Sequence, residues 1–340
     1  MTLNPPTILG VPTTYPNPIV DSHLAGSSRR GSGRLAAAML CERRWELAVK
    51  DQLRPRIASE AQMCGSLFHI RSAFYHAAKM TNEKPPWFSG PSCEEVMREF
   101  GRDQPAEIER ADKAFDDWRE KVGDKDTMHP IMVEGEIGAT VGDLLGMTQE
   151  QWSATGNPVL SELVTGRFDR ICIQTAGPGA GKIYRFDTKT RRTAHKLGTW
   201  QEDNDYFLNW QVLLYTAIAD WYFGQRNKAG GEVADFVIER IKQRPPYETD
   251  RNPVLIPSAL RRRMGLVIYE AVARELHLHQ MLAAGYTTLQ NGIVTGACGR
   301  AEVRNGIASA QWACDFRQIC GADTIDIGET LKASWYSREA

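Results

Sequence analysis

Hydrophobic residues recur along this chain in two patterns, one with the period of an α-helix and one with that of a β-strand. Helical spacing marks residues 34–50, 59–79 and 105–122, so the N-terminal third is predicted to be mostly helical. Strands are predicted at about 130–137, 162–174, 182–189 and 233–242, and further helices at about 203–224 and 258–284. Strands and helices that interleave in this order favour an α/β fold with a mixed central sheet flanked by helices.

The most informative segment is a predicted hairpin over residues 165–190, TGRFDRICIQTAGPGAGKIYRFDTKT. If its two strands fold back about the turn at 177–179, residues whose numbers sum to about 356 face each other. Asp169 is therefore expected opposite Asp187. The apolar residues around them are typical of strands packed in a core, namely Phe168, Ile171, Ile173, Tyr184 and Phe186.

The second strand of the hairpin carries Asp187-Thr188-Lys189, the only Asp/Glu-x-Lys triplet in the chain. Side chains alternate between the faces of a strand, so Asp187 and Lys189 project the same way, while Thr188 points to the other face and leaves its carbonyl near a cation. Two buried carboxylates are unfavourable side by side unless a cation neutralises them, which predicts a site for Mg²⁺ or Mn²⁺ and a phosphodiester. The alternative is a surface ion triad.

Composition sets limits on the class of protein. With 340 residues, 42% of them hydrophobic, the chain can bury a sizeable core and is typical of an intracellular enzyme, which favours a cytoplasmic location. A formal net charge of −1 gives no global attraction to nucleic acid, so any DNA contact would depend on local basic patches. The first twenty residues contain five prolines and no signal-peptide pattern, and no segment is apolar for long enough to span a bilayer. Seven cysteines in such a chain disfavour a disulfide framework and favour reduced thiols or a metal site.

Helices before and after the hairpin offer further polar groups. His69 follows Gly65 by four residues in the helix before the sheet, where its imidazole could complete the shell of a cation. Gln211 and Tyr215 lie one turn apart on one face of a later helix, where an amide and a phenol could hold a phosphate or orient Lys189. Each also has an ordinary structural interpretation, as a packed or capping histidine and as a polar seam in a core helix.

Four motifs thus stand in a fixed order: Gly65-x-x-x-His69, Gly166-x-x-Asp169-Arg170-Ile171, Asp187-x-Lys189-Thr190 and Gln211-x-x-x-Tyr215. This ordered set resembles the RecB-like branch of the PD-(D/E)XK nucleases over about residues 35–320. The resemblance implies a restriction-endonuclease-like fold and a Mg²⁺- or Mn²⁺-dependent deoxyribonuclease. It also implies an exonuclease that degrades single-stranded ends from 5′ to 3′ and leaves 5′-phosphate and 3′-hydroxyl groups.

The resemblance further implies roles for individual residues. The metal ligands would be His69, Asp169, Asp187 and the carbonyl of Thr188. The catalytic residues would be Asp169, Asp187, Lys189, Gln211 and Tyr215, with Lys189 as the catalytic lysine. Glu134, on the strand before the hairpin, is a further candidate that matches no motif.

The same branch includes enzymes similar to the CRISPR-associated and AddB-type exonucleases, in which one cysteine before the nuclease core and three after it hold a [4Fe-4S] cluster. Cys41, in MLCERRWEL, resembles the first of these, and Cys314 and Cys320, in WACDFRQIC, resemble the closing pair. The family's third ligand lies three residues before that pair, where this chain has Gln311, and Cys298 is the natural substitute. Four thiolates could equally hold Zn²⁺, and either group would be a structural staple.

The remaining cysteines and several aromatic residues are weaker signals. Cys64, Cys93 and Cys172 are interpreted as buried small hydrophobes. Aromatic residues in or beside predicted loops could stack on the bases of a single strand, namely Trp87, Phe88, Trp200 and Tyr206.

The predicted organisation has an extended or disordered lead-in over 1–33, a helical region over 34–125, a nuclease core over 126–290 and a C-terminal cluster-binding segment over 291–340. The expected partner is DNA, most simply single-stranded, with a homo-oligomer or a larger recombination or CRISPR complex as possible settings. The alternative function is a DNA-binding or adaptor subunit of a recombination or spacer-acquisition complex, with latent or endonucleolytic activity. Nothing in the residues separates DNA from RNA.

Overall fold

The computed structural model describes residues 13–14, 31–40, 45–46, 53–55, 59–81, 83–192, 210–226, 233–285 and 336–338. The chain divides into two compact units. The first unit comprises residues 1–31 and 59–266, and the second comprises residues 32–58 and 267–340.

A mixed sheet with the strand order β1-β3-β4-β5-β6-β7 forms the centre of the first unit. The described strands, in chain order, are β1 (Thr13–Thr14), β2 (Leu53–Pro55), β3 (Met128–Thr140), β4 (Leu163–Gln174), β5 (Ile183–Arg191), β6 (Val233–Lys242), β7 (Thr249–Val254) and β8 (Tyr336–Arg338). Strands β5 and β6 run parallel, and the other neighbours in this sheet are antiparallel. Its five long strands, flanked by helices, are compatible with a restriction-endonuclease-like fold.

The described helices, in chain order, are α1 (Ser32–Leu40), α2 (Glu60–Lys79), α3 (Cys93–Phe100), α4 (Pro105–Lys121), α5 (Val141–Leu144), α6 (Gln149–Ala154), α7 (Pro158–Ser161), α8 (Trp210–Arg226) and α9 (Ser258–Ala283). The helices predicted at 59–79, 105–122 and 258–284 are confirmed as α2, α4 and α9. The start of the helix predicted at 203–224 and nearly all of the loop predicted at 285–310 lie outside the described residues. Within the ranges described, no helix is long and apolar enough to cross a membrane.

The predicted register of the hairpin is confirmed. Arg170 pairs with Phe186 and Ile173 with Ile183, so the residue numbers of each pair sum to 356. The strands are closed by a hydrogen bond from the Gln174 amide to the Lys182 carbonyl at 3.0 Å. A glycine-proline turn between two apolar runs was therefore sufficient to fix which residues face each other.

Strand β7 was not predicted, because TDRNPV has the composition of a turn. Ion pairs with the neighbouring strand hold it in place. Arg251 of β7 pairs with Glu239 of β6, and on the next rung Asp250 pairs with Arg240. Tertiary pairing thus overrides local propensity here.

Helix α2 has clear local reasons to form and to dock. A capping box at its start joins Ser59 and Gln62, with the Gln62 amide donating to the Ser59 hydroxyl at 3.2 Å and the Ser59 amide to the Gln62 side chain at 2.9 Å. Its apolar face packs against α3 and α4 in one cluster that includes Cys64, Leu67, Phe68, Phe115 and Trp118. These contacts fix the helix that carries His69.

Gly65 lets α2 approach strand β5 closely. A Cβ atom at this position would lie 2.6 Å from the hydroxyl oxygen of Thr190. The same hydroxyl accepts a hydrogen bond from Gln243 Nε2 at 2.8 Å, and Gln243 also donates to the Ala61 carbonyl of α2 at 3.0 Å. Helix and strand are thus joined both by close packing and by hydrogen bonds.

The second unit has its own small core. Ala37 and Ala38 of α1 pack with Trp45 and with Leu278 of α9. Glu275 is fully buried there, where it pairs with Arg34 and accepts a hydrogen bond from Trp45 Nε1 at 3.2 Å. Strands β2 and β8 form an antiparallel pair in this unit.

Gly65→Ala is expected to destabilise the protein by about 1–3 kcal/mol, because the added methyl group would overlap the Thr190 hydroxyl. Gly224→Ala in α8 is the matched control, since a Cβ there meets nothing within 4 Å. The control should be neutral or stabilising through helix propensity alone. Urea unfolding of both variants checks this, and equal effects of the two substitutions would contradict the packing explanation.

Candidate functional site

Asp169 lies where the two strands of the hairpin separate. The β4–β5 ladder ends at the pair Arg170 and Phe186, one position before Asp169 and Asp187 would pair. Beyond that point the amide of Thr188 donates to Asp169 Oδ2 at 2.6 Å, in place of a bond to a strand carbonyl. The hairpin therefore brings Asp169 beside the strand that carries Asp187.

Asp187, Lys189 and Gln211 form a closed set of hydrogen bonds. Lys189 Nζ donates to Asp187 Oδ1 at 3.1 Å and to Gln211 Oε1 at 3.0 Å. Gln211 Nε2 in turn donates to Asp187 Oδ1 at 2.8 Å. Asp187 and Lys189 thus project to the same side of β5, towards α8, as the strand period predicted. The amide of Gln211 holds both of them in place.

A second group of side chains is suited to a metal ion. One donor atom from each of His69, Glu134 and Asp169 lies within 4.8 Å of the other two. His69 comes from α2, Glu134 from β3 and Asp169 from β4, and His69 Nδ1 is 3.5 Å from Asp169 Oδ2. Two carboxylates and an imidazole are a donor set that Mn²⁺ and Mg²⁺ accept. No other trio of His, Cys, Asp or Glu side chains in the described parts of the chain has this spacing.

Glu134 reaches this group through an unusual backbone conformation. Its φ is +49°, in the left-handed region that L-residues rarely adopt. Its neighbours in β3 pair with Arg170 and Phe168, so Glu134 stands opposite Asp169 in the ladder. Such a conformation costs on the order of 1–3 kcal/mol and persists only where its surroundings impose it. Here the paired strand on either side and Arg167, whose Nε donates to Glu134 Oε2 at 2.9 Å, impose it.

Burial opposes ionisation of two of these carboxylates. Burial and the negative charge of Asp169 raise the pKa of Glu134, and the positive charge of Arg167 only partly offsets them. Burial and the negative charge of Asp169 likewise raise the pKa of Asp187, and the positive charge of Lys189 only partly offsets them. The exposed fractions of Glu134 and Asp187 are only 7% and 2%. A divalent cation would supply positive charge where it is lacking, so these residues fit a Mg²⁺ or Mn²⁺ site.

Comparison with known proteins agrees with this chemistry. The sequence profile of the PD-(D/E)XK nuclease superfamily matches residues 32–321. This chain belongs to that superfamily. As a PD-(D/E)XK nuclease it is a phosphodiester-hydrolysing protein, of a superfamily that generally uses divalent metals.

Similarity to individual proteins is more distant. The crystal structure of a protein from Eubacterium rectale named "Putative exonuclease" superposes with a TM-score of 0.40 and 11% sequence identity, over 73% of this chain and 80% of that one. No curated protein sequence matches this PD-(D/E)XK nuclease significantly.

Tyr215 lies inside the nuclease core. Its ring packs against Phe168 with 4.9 Å between ring centroids, and a Cβ at Gly166 would lie only 3.0 Å from it. Burial raises its pKa, and its hydroxyl lies within hydrogen-bond reach of the Gln211 side chain and the Arg167 backbone. Of the two roles predicted for this helix face, the geometry therefore supports orientation of Lys189, through Gln211, rather than contact with a phosphate.

Of the four aromatic residues predicted to stack on bases, the structure describes Trp87 and Phe88. Trp87 is wrong as a stacking candidate, because it is only 9% exposed and packs in a core cluster beside Phe74, with 5.3 Å between ring centroids. Phe88 is partly buried and lies under Lys84. Trp200 and Tyr206 lie outside the described residues.

The cysteines predicted to bind a cluster, Cys41, Cys298, Cys314 and Cys320, all lie outside the described residues. The other three are free thiols. Cys64 and Cys172 are fully buried in apolar clusters, and burial raises the pKa of each to about 12. Such protonated thiols are poor metal ligands, which agrees with their interpretation as small hydrophobes.

Two residues of this nuclease site carried little signal in the sequence. Glu134 matched no motif, and a glutamate in a predicted strand gives no hint of a left-handed backbone. Arg167 occupies a variable position of the Gly166-x-x-Asp169 motif and was not singled out. Extending the register to β3 would have found Glu134, since Val133 pairs with Arg170 and Glu134 therefore stands opposite Asp169.

Glu134→Gln should weaken Mn²⁺ binding about 10-fold, because it removes one charged donor from the trio. At saturating Mn²⁺ the stabilisation gained from the metal should fall by about 1.4 kcal/mol. In EDTA the variant should be as stable as the parent or more so, since a buried carboxylate that resists ionisation has been replaced. Thermal unfolding with and without Mn²⁺ measures both effects. Glu136→Gln, two residues along β3, is the control and should respond to Mn²⁺ like the parent.

Proposed function

We propose that this chain is a Mg²⁺- or Mn²⁺-dependent deoxyribonuclease of the RecB-like branch that degrades DNA from its ends. One observation carries the proposal: the donor trio of His69, Glu134 and Asp169 lies beside the hydrogen-bonded set of Asp187, Lys189 and Gln211 in a PD-(D/E)XK chain. A surface ion triad, the alternative for these residues, is not supported, since Asp187 is buried.

The side chains of the site would have two roles, which are to bind the metal and to stabilise negative charge on the phosphate. His69, Glu134 and Asp169 would hold the metal. The resemblance to the RecB-like branch adds Asp187 and the carbonyl of Thr188 as further ligands. When bound, the metal supplies Lewis acidity and positive charge at a phosphate oxygen. The ammonium group of Lys189, held between Asp187 and Gln211, supplies a second positive charge where negative charge develops. Gln211 is a positioning residue, and Tyr215 positions Gln211 in turn.

The reaction is hydrolysis of a phosphodiester. A water oxygen forms a bond to phosphorus, the bond from phosphorus to the 3′ oxygen breaks, and the leaving oxygen gains a proton. The products are a 5′-phosphate and a 3′-hydroxyl. The same resemblance that suggests the branch suggests a single-stranded end as the substrate and a 5′ to 3′ direction.

A [4Fe-4S] cluster on Cys41, Cys298, Cys314 and Cys320 belongs to the same proposal. It rests on the sequence pattern of these cysteines and on the resemblance to CRISPR-associated and AddB-type exonucleases. The cluster would link a residue near the start of the chain to its C-terminal segment, so its role would be structural. Zinc is the alternative occupant.

Lys189→Met should lower the cleavage rate by about 10²- to 10³-fold, because it removes a preorganised positive charge and keeps most of the side-chain volume. Wild-type protein with Mn²⁺ should degrade end-labelled linear single strands and leave a closed single-stranded circle intact. The matched control is Lys113→Met, which removes an exposed helical lysine paired with Glu109 and should leave the rate unchanged.

The outcomes separate the candidate functions. Cleavage of the circle would indicate an endonuclease. Binding of the linear strand without cleavage, by a folded wild-type protein at saturating Mn²⁺, would indicate a DNA-binding or adaptor subunit. Full activity of Lys189→Met would show that the site has been assigned to the wrong residues.

Protein purified without oxygen should be brown and contain iron and labile sulfide in equal amounts, if the cysteines hold a cluster. Cys314→Ser should lose the colour and the iron, while Cys93→Ser, in α3, should keep both. Metal analysis and absorption spectra provide the measurement. Colourless protein that contains zinc instead would establish the zinc alternative.

A further inference from the structure

A buried set of charged residues lies behind the catalytic hairpin, and we propose that it positions the metal-binding carboxylates. This reverse network consists of Arg170, Glu239, Arg251 and Asp126, with the hydroxyl of Thr188 as its link to the site. The inference rests on the proposed metal site, and it assigns Glu239 as a positioning residue that sets the affinity for the metal without touching it.

Arg170 joins three strands of the sheet. It follows Asp169 on β4, and its guanidinium lies over the ring of Phe186 on β5, 4.2 Å from the ring centroid. From there it donates to Glu239 Oε2 on β6 at 3.0 Å. Another of its nitrogens is 2.8 Å from His76 Nε2 on α2. At 1% exposure, Arg170 is inaccessible to substrate and cannot act on it directly.

Glu239 is the centre of the network. It has no exposed surface, and it accepts hydrogen bonds from Arg170 and from Arg251 Nε at 2.6 Å. Burial alone would raise its pKa, but the two arginines together lower the pKa to about 2. Arg251 also pairs with Asp126 at 2.7 Å, which extends the network to the chain just before β3.

The charges of this network balance. Arg170 and Arg251 carry two positive charges, and Glu239 and Asp126 carry two negative ones. His76 is neutral, because burial holds its pKa well below the usual value. The charges of the network therefore cancel among its own members.

Thr188 connects the reverse network to the metal site. Its hydroxyl lies 3.4 Å from Glu239 Oε2, and it stands opposite Glu239 in the β5–β6 ladder. Its amide donates to Asp169 at 2.6 Å, and Asp187 is the preceding residue. A shift of Thr188 would therefore move both carboxylates together. Ligand distances to Mg²⁺ are close to 2.0–2.1 Å with little tolerance, so a small shift would weaken binding.

Buried ion pairs are weak contributors to stability compared with apolar residues of similar volume. A purely stabilising role therefore gives no reason to place four charges at this point in the sheet. The neighbouring rung of the same β6–β7 ladder offers a comparison. Arg240 is fully buried and pairs with Asp250. Because consecutive side chains alternate between faces, this pair lies on the face opposite Thr188, where Arg240 stands beside Lys189 in the β5–β6 ladder.

The test compares Glu239→Gln with Asp250→Asn as the matched control. Each removes one carboxylate charge facing a buried arginine in adjacent rungs of one ladder. Glu239→Gln should raise the dissociation constant for Mn²⁺ about 10-fold, measured by calorimetry on metal-free protein below its unfolding temperature. Asp250→Asn should lower the unfolding temperature but leave the dissociation constant at the wild-type value.

A milder pair of variants covers the case in which Glu239→Gln does not fold. Thr188→Val keeps the backbone amide and the volume but removes the hydroxyl, and it should raise the Mn²⁺ dissociation constant. Thr188→Ser restores the hydroxyl and should restore the affinity. Electron paramagnetic resonance of bound Mn²⁺ adds a readout independent of cleavage, and the signal should change in Thr188→Val and not in Asp250→Asn.

Two results would overturn the inference. If Glu239→Gln and Thr188→Val bind Mn²⁺ like wild type while unfolding earlier, the reverse network only stabilises the sheet. If wild-type protein itself binds no Mn²⁺, the proposed function fails and the positioning role falls with it. The wild-type titration thus separates the two failures.

Discussion

The amide of Thr188 donates to the carboxylate of Asp169 at the point where the β4–β5 ladder has ended, and the geometry of the site depends on this bond. It keeps the two strands of the hairpin close enough for Asp169 and Asp187 to share one site while leaving the oxygen atoms of Glu134 and the imidazole of His69 within reach. The bond thus fixes Asp169 next to Thr188, the residue that follows Asp187.

Charge is arranged differently on the two sides of this bond. Behind the hairpin, each buried charge has a partner of opposite sign, and the pKa of Glu239 is low. In front of it, Arg167 and Lys189 compensate their carboxylates only in part, so the pKa values of Glu134 and Asp187 are raised. A PD-(D/E)XK nuclease needs this asymmetry, because a site whose charges were already balanced would gain little from a metal.

Much of this arrangement could be predicted from the sequence, and the features that the sequence did not predict have physical reasons. Hydrophobic period and a glycine-proline turn were enough for the register of Asp169 and Asp187 and for the shared direction of Asp187 and Lys189. Strand β7 escaped because ion pairs with β6, invisible in local sequence, hold a turn-like segment extended. Glu134 was a candidate without a motif, because the strand opposite imposes its left-handed backbone and no local pattern indicates it. Trp87 was misjudged because a position beside a predicted loop does not show whether a ring is exposed or packed in a core.

The parallel pairing of β5 and β6 has a consequence for how such a site can change. Two parallel neighbours must be joined by a chain that returns over the face of the sheet, and α8 lies in that return. This crossover places Gln211, near the start of α8, on the side of the sheet where it can bond to Lys189 and Asp187. Evolution could therefore change the length of the segment that enters α8 and still keep Gln211 beside Lys189. Reversing the direction of β6 would instead remove the need for the crossover, and with it α8 and Gln211.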